Sequence, residues 1–166
     1  SGFAEVGDDG SEMQARLRRL CEQKGIQFCG PNCVGFVNLH DRVCACSAPL
    51  APHLQPGRIA AIAQSGAVIL AIANANRGIG FSHLISSGNE AVLDTVDYLA
   101  YLLEDPRTDV ILAFLETIRR PREFLKTCRR AAELNKPIVI VKVGRSELAR
   151  RAAVTHTGSM TGADSV

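Results

Sequence analysis

From residue 58 to residue 143, short β-branched apolar runs alternate with stretches of helical period, and no other feature restricts the fold of this chain so tightly. Residues 58–63 read as a strand, 67–76 as a helix, 82–86 as a strand and 93–103 as a helix. Residues 110–115 then read as a strand, 122–134 as a helix and 138–143 as a strand. The run Val110-Ile111-Leu112-Ala113-Phe114-Leu115 is apolar at every position, as expected of a parallel strand with helices over both faces. Strict alternation of β and α predicts an α/β fold with a doubly wound, flavodoxin-like or Rossmann-like parallel sheet.

The chain before this region has a different rhythm. Residues 11–25 read as a helix, with Ser11 as N-cap, Leu17, Leu20 and Cys21 on one face, and Gly25 just past the end. Residues 26–29 read as a short strand running into the turn Gly30-Pro31-Asn32-Cys33-Val34-Gly35. From 39 to 57 no period is visible, and Pro49, Pro52 and Pro56 mark the expected domain boundary. At the other end Ser146 is expected to cap a short helix reaching about residue 151. The opening residues read as cut from a longer chain, and the sheet is expected to lack its last strand.

Composition removes several function classes. With 46% hydrophobic and 22% charged residues the chain has the make-up of an ordinary globular protein, and no apolar run reaches bilayer-spanning length. No signal peptide opens it. A net charge of +2 is too small to point to nucleic acid. The six cysteines lack paired C-x-x-C spacing, so no metal site is expected, and unpaired thiols fit a reduced, cytoplasmic protein.

In a parallel α/β sheet the carboxyl ends of all strands face one crevice, so the loops after the strands belong together. Gln64-Ser65-Gly66-Ala67 places a serine and a glycine at a helix amino terminus, whose free N–H groups suit phosphate or carboxylate, although ordinary capping explains the serine equally well. It is neither a P-loop nor a nucleophile elbow, because the required lysine and flanking glycines are missing. Ser87-Gly88-Asn89-Glu90 follows the next strand, and Asn32 stands in the earlier turn, where such a residue often bonds only its own backbone. Glu116 ends six apolar residues, where a carboxylate calls for a partner; His156 or the nearby Arg119 and Arg120 could provide one. His156 lies between two threonines and is followed by Gly158 and Gly162. It reads as a turn histidine on the surface or as a nucleophile able to carry a phosphoryl group, with a carboxylate orienting its other nitrogen. A flavin site is disfavoured, because no Ser/Thr-rich phosphate loop follows the first strand and the chain has no Trp and two Tyr.

The order of motifs resembles one known family, the NDP-forming acyl-CoA synthetases, or ADP-forming acetate–CoA ligases, relatives of the succinyl-CoA synthetase α subunit. The matching segments include Ser1-Gly2-Phe3-Ala4-Glu5, Gly30-Pro31-Asn32-Cys33-Val34-Gly35, Gln64-Ser65-Gly66-Ala67, Gly88-Asn89-Glu90, Lys142-Val143-Gly144-Arg145-Ser146 and His156-Thr157-Gly158. The resemblance implies that residues 1–50 are the tail of a CoA-binding Rossmann-like domain. Residues 57–166 would be a succinyl-CoA-ligase-like flavodoxin domain ending in the phosphohistidine loop. It further implies that His156 is phosphorylated, that Glu116 supports it, and that Ser65, Gly66, Ala67, Asn32, Gly88 and Asn89 bind the acyl and phosphoryl groups. CoA, a carboxylic acid, ATP or ADP and Mg²⁺ are the implied ligands, the nucleotide and metal held mainly by an ATP-grasp domain or subunit of a homo- or hetero-oligomer. Thr117 and Ala63 depart from the family pattern, where glycine and serine are common. The competing expectation is a regulatory ligand-sensing module fused to a protein acetyltransferase.

Overall fold

A computed structural model describes residues 2–75 and 77–144. A 3-10 turn at Ala4–Val6 leads into α1, Asp8–Lys24. The helix starts earlier than expected: Gly7 holds the N-cap position, and Ser11 lies in the first turn, its hydroxyl donating to the Gly7 carbonyl at 3.0 Å. Asp8 and Asp9 at the positive end and Lys24 in the last turn complement the helix dipole, which favours the longer helix. Gly25 ends it in the left-handed conformation, as its position foretold.

Residues 26–29 form no strand, contrary to expectation. The carbonyls of Phe28, Gly30 and Pro31 instead accept from the N–H groups of Leu93, Ala91 and Asn89, at 3.2, 2.8 and 2.8 Å. The segment met a loop and not a ladder. The stretch read as aperiodic, in turn, contains pairing. β1, Gly35–Asn38, and β2, Val43–Cys46, make an antiparallel hairpin. Gly35 is needed there, with φ at +105° and the Ala45 carbonyl oxygen 2.0 Å from where a Cβ would stand.

The alternating region forms as expected. β3 is Pro56–Ala63, α2 Gly66–Asn74, β4 Phe81–Ser86, α3 Thr95–Glu104, β5 Val110–Leu115, α4 Pro121–Glu133 and β6 Ile138–Lys142. α3 begins at the N-cap Asp94, where Asp94 Oδ1 accepts from Val96 N–H at 2.8 Å and Asp97 Oδ2 accepts from Asp94 N–H at 3.0 Å. Pro121 opens α4 at a position that needs no N–H donor.

The sheet runs β2-β1-β4-β3-β5-β6. β3 to β6 are mutually parallel, and β1 joins antiparallel to β4, so the hairpin before the expected boundary shares the sheet of the strands after it. One apolar cluster, including Ile62, Leu99, Leu102, Ile111 and Leu115, lies under α3 and α4. The other, including Ala61, Ile69, Phe81 and Leu84, lies under α2. β4 is buried along its whole length, whereas β5 alternates. Within the parallel set the first strand, β3, stands between the second, β4, and the third, β5. The crossover leaving β3 therefore runs toward β4 and the one leaving β5 runs the other way, toward β6, so the switch point lies between the carboxyl ends of β3 and β5.

Candidate active site

Ala63, Ser86, Leu115 and Lys142 end the four parallel strands on one edge of the sheet, and the loops after them build the site. α2 starts immediately after β3. Ser65 occupies its N-cap position, but its side chain makes no capping hydrogen bond, so the expectation of a hydroxyl cap is corrected. The first turn of α2 reads Gly-Ala-Val-Ile and carries no acidic residue, leaving the positive helix end without a counter-charge of its own. A Cβ on Gly66 would stand 2.4 Å from Val34 Cγ2, so only glycine lets the segment after Asn32 come so close to the helix end.

Asn32, Gly88 and Asn89 meet on the other side of that segment. Asn32 Nδ2 donates to Asn89 Oδ1 at 3.3 Å, and Asn89 Nδ2 donates to Glu5 Oε2 at 2.6 Å and Gln14 Oε1 at 2.9 Å. Burial alone would raise the Glu5 carboxyl, but hydrogen bonds from Asn89 and backbone N–H groups outweigh it and hold the pKa below the ordinary value.

Glu116 follows β5. Its N–H donates to Gln64 Oε1 at 2.7 Å, and its carbonyl accepts from Lys142 Nζ at 3.0 Å. The arginines considered as its partners are engaged elsewhere. Arg119 lies 3.6 Å from Glu90 Oε2 and donates to the Asn89 carbonyl at 2.7 Å; Arg120 donates to both carboxylate oxygens of Asp94 at 2.6 Å. Ser65 and Glu116 thus lie at the carboxyl ends of neighbouring parallel strands. His156, the glycines after it and the expected helix at 146–151 lie outside the described residues.

Two further polar residues of these loops are buried. Gln64 is 5% exposed and Glu90 1% exposed. Glu90 Oε1 accepts from the hydroxyls of Ser87 at 2.8 Å and Thr95 at 2.6 Å. Burial pushes the Glu90 pKa up, against hydrogen bonds from Thr95, Ser87 and Gln64 and the charge of Arg119. A polar residue ending an apolar strand was the available signal for Gln64, whereas Glu90 gave no sign of being buried.

Residues 56–166 match the family described as succinyl-CoA ligase like flavodoxin domain. The chain belongs to that family. This succinyl-CoA-ligase-like chain is 40% identical over 164 residues to acetate–CoA ligase [ADP-forming] I of Archaeoglobus fulgidus, covering 98% of this chain and 24% of that protein. It is 36% identical over 169 aligned residues to 4-hydroxybutyrate–CoA ligase [ADP-forming] of Nitrosopumilus maritimus, covering 100% of this chain and 24% of that one. The structure superposes on the Ca. Korarchaeum cryptofilum dinucleotide forming acetyl-coenzyme A synthetase 1 in complex with phosphate and ADP. The TM-score is 0.85 at 39% identity, over 98% of this chain and 35% of that one. The chain therefore spans about a quarter of the length of these curated relatives. They are ligases, and the regulatory acetyltransferase alternative finds no support among them. No helix of the described residues is long and apolar enough to cross a membrane.

Proposed function

We propose that this chain is the phosphohistidine-bearing part of a cytoplasmic ADP-forming acyl-CoA synthetase, which interconverts acyl-CoA, phosphate and ADP with a carboxylic acid, CoA and ATP. The observation that carries the reading is the neighbouring placement of the α2 amino terminus and Glu116 at the crevice between β3 and β5. Relatives whose names specify ADP-forming CoA ligases support it.

The first step is attack of a phosphate oxygen on the acyl carbonyl, with CoA leaving as thiolate and an acyl phosphate remaining. A nitrogen of His156 then displaces the carboxylate from phosphorus, and a terminal oxygen of ADP displaces the histidine. Dividing the transfer in this way replaces one difficult displacement by easier ones. The N–H groups of Gly66, Ala67 and their neighbours at the α2 end stabilise charge on the transferring group, and Gly66 lets Val34 pack against that helix end. Glu116 holds one imidazole nitrogen of His156 as N–H, leaving the other free to attack. Asn32 orients the acyl and phosphoryl oxygens, held by Asn89, whose own N–H groups go to Glu5 and Gln14, and Gly88 lets the two loops meet. CoA approaches along the segment before residue 50, the Rossmann-like tail. An ATP-grasp domain or subunit holds the nucleotide and its Mg²⁺, within a homo- or hetero-oligomer.

The test is to incubate the intact protein with Mg²⁺ and γ-labelled ATP, without acid or CoA, and to look for acid-labile, base-stable phosphate on His156. Label is expected, and His156→Ala should abolish it while leaving the far-UV circular dichroism unchanged. Full labelling of that variant would sink the assignment.

A further inference from the structure

The β3–β5 ladder ends at the pair Ala63 and Phe114. Beyond it the backbones part, one turning into α2 over one apolar cluster and the other leading to α4 over the second. The side chain of Gln64 continues the ladder across this gap. Gln64 Oε1 accepts from the N–H groups of Glu116 at 2.7 Å and Thr117 at 2.9 Å, and Nε2 donates to the Thr117 carbonyl at 2.9 Å. Its own N–H reaches the Phe114 carbonyl at 3.4 Å. One buried amide therefore fixes the peptide that carries Glu116, while the next residue in the chain, Ser65, begins the α2 amino terminus.

We propose that Gln64 is a positioning residue that sets the spacing between the α2 amino terminus and Glu116, and so aligns the phosphoryl group with the imidazole that accepts it. The inference rests on the phosphohistidine reading above. It explains why glutamine stands there: the amide supplies an acceptor and a donor at once and does not titrate. Glutamate of the same length lacks the donor until it is protonated, and asparagine is one methylene too short to keep the same reach. Because near-attack geometry tolerates little displacement, a shift of about 1 Å costs on the order of 100-fold in rate.

The experiment follows the rate and extent of His156 labelling in the intact protein with γ-labelled ATP, for Gln64→Met, Gln64→Glu and Glu116→Gln beside the parent. Gln64→Met keeps the side-chain length and loses every side-chain hydrogen bond, so labelling should slow about 100-fold at saturating ATP with the concentration for half-maximal rate unchanged. Gln64→Glu places a second carboxyl beside buried Glu90 and Arg119 and should be slow at pH 8, recovering as the pH falls and the introduced carboxyl becomes a donor to the Thr117 carbonyl. This limb should persist when Glu90→Gln is added, which assigns it to residue 64. A merely structural role would shift melting temperatures without this acid recovery. If Gln64→Met does not fold, the pH profile of Gln64→Glu decides alone. Parent-like labelling by Gln64→Met, or a parent-like pH profile for Gln64→Glu, would overturn the proposal while leaving the phosphohistidine in place. An unlabelled parent would instead remove the reading beneath it, and full labelling of Glu116→Gln would take Glu116, and with it the proposal, out of the chemistry.

Discussion

Asn32 and Asn89, 57 residues apart in sequence, meet side chain to side chain at 3.3 Å, and the glycine between β4 and Asn89 makes the contact attainable. Gly88 has φ at +60°, and a Cβ there would stand 2.3 Å from the Pro31 carbonyl oxygen and 2.7 Å from that of Asn32. The loop after β4 is pressed against the Gly30–Gly35 turn so closely that backbone faces backbone.

Gly88→Ala should therefore destabilise the fold by about 2 kcal/mol, combining left-handed strain with a contact that cannot relax around a side chain. Urea unfolding measures it, and a loss below about 0.5 kcal/mol would mean that the turn yields and that the contact does not constrain Asn32 and Asn89.

Arg120 holds the first turn of α3 from outside, its guanidinium spanning Asp94 and reaching Asp97 Oδ1 at 2.6 Å. Its side chain is 40% exposed, so solvent screens much of the charge. Arg120→Lys keeps the charge and loses the fork; it should cost about 1 kcal/mol, with Arg120→Ala only slightly worse. Equal melting temperatures for parent and lysine variant would show that charge alone suffices.

His83 is 3% exposed, and both ring nitrogens lack a hydrogen-bond partner. Burial lowers its pKa below the ordinary 6.5, opposed by Asp105 and Asp41 and aided by Arg107 and His40. A depressed histidine keeps its stabilising contribution above the unfolded value and loses it as the pH falls from 6.5 toward the folded value. Stability should decline in that window. His83→Phe should remove this limb and add on the order of 1 kcal/mol at neutral pH by deleting the unmet nitrogens. The lower acid limb from Asp105 should persist below its ordinary 3.8, because Thr108 and Arg107 outweigh burial and hold that carboxyl down.

Glu90 has the opposite sign. With its pKa raised by burial, its contribution is complete below the unfolded value of 4.5 and is lost as the pH rises through the folded one. Denaturant midpoints of Glu90→Gln measured from pH 4 to pH 8 should lack this decline. A parallel decline in both proteins would assign it to another group.

The strands β3 to β6 and helices α2 to α4 were legible because their signals are local. A continuously apolar β-branched run such as 110–115 can satisfy its side chains only inside a parallel sheet, and parallel order places Ser65 and Glu116 on one edge without further information. The short elements were not legible. β2 is four residues long with no alternation of its own, and it becomes a strand because β1 pairs with it while β4 pairs with β1. Residues 26–29 carried a strand-like pattern and found a loop as their partner.

Periodicity and turn chemistry thus determined the layered α/β fold and the strand ends from which Ser65 and Glu116 emerge. The tertiary structure alone decided that Gln64 would clamp the Glu116 peptide, that Glu90 would be buried beside Arg119, and that the β1–β2 hairpin would extend the sheet. Those outcomes depend on contacts between distant residues, and a backbone donor or acceptor left unmatched at a strand end takes whichever buried polar group the packing brings to it.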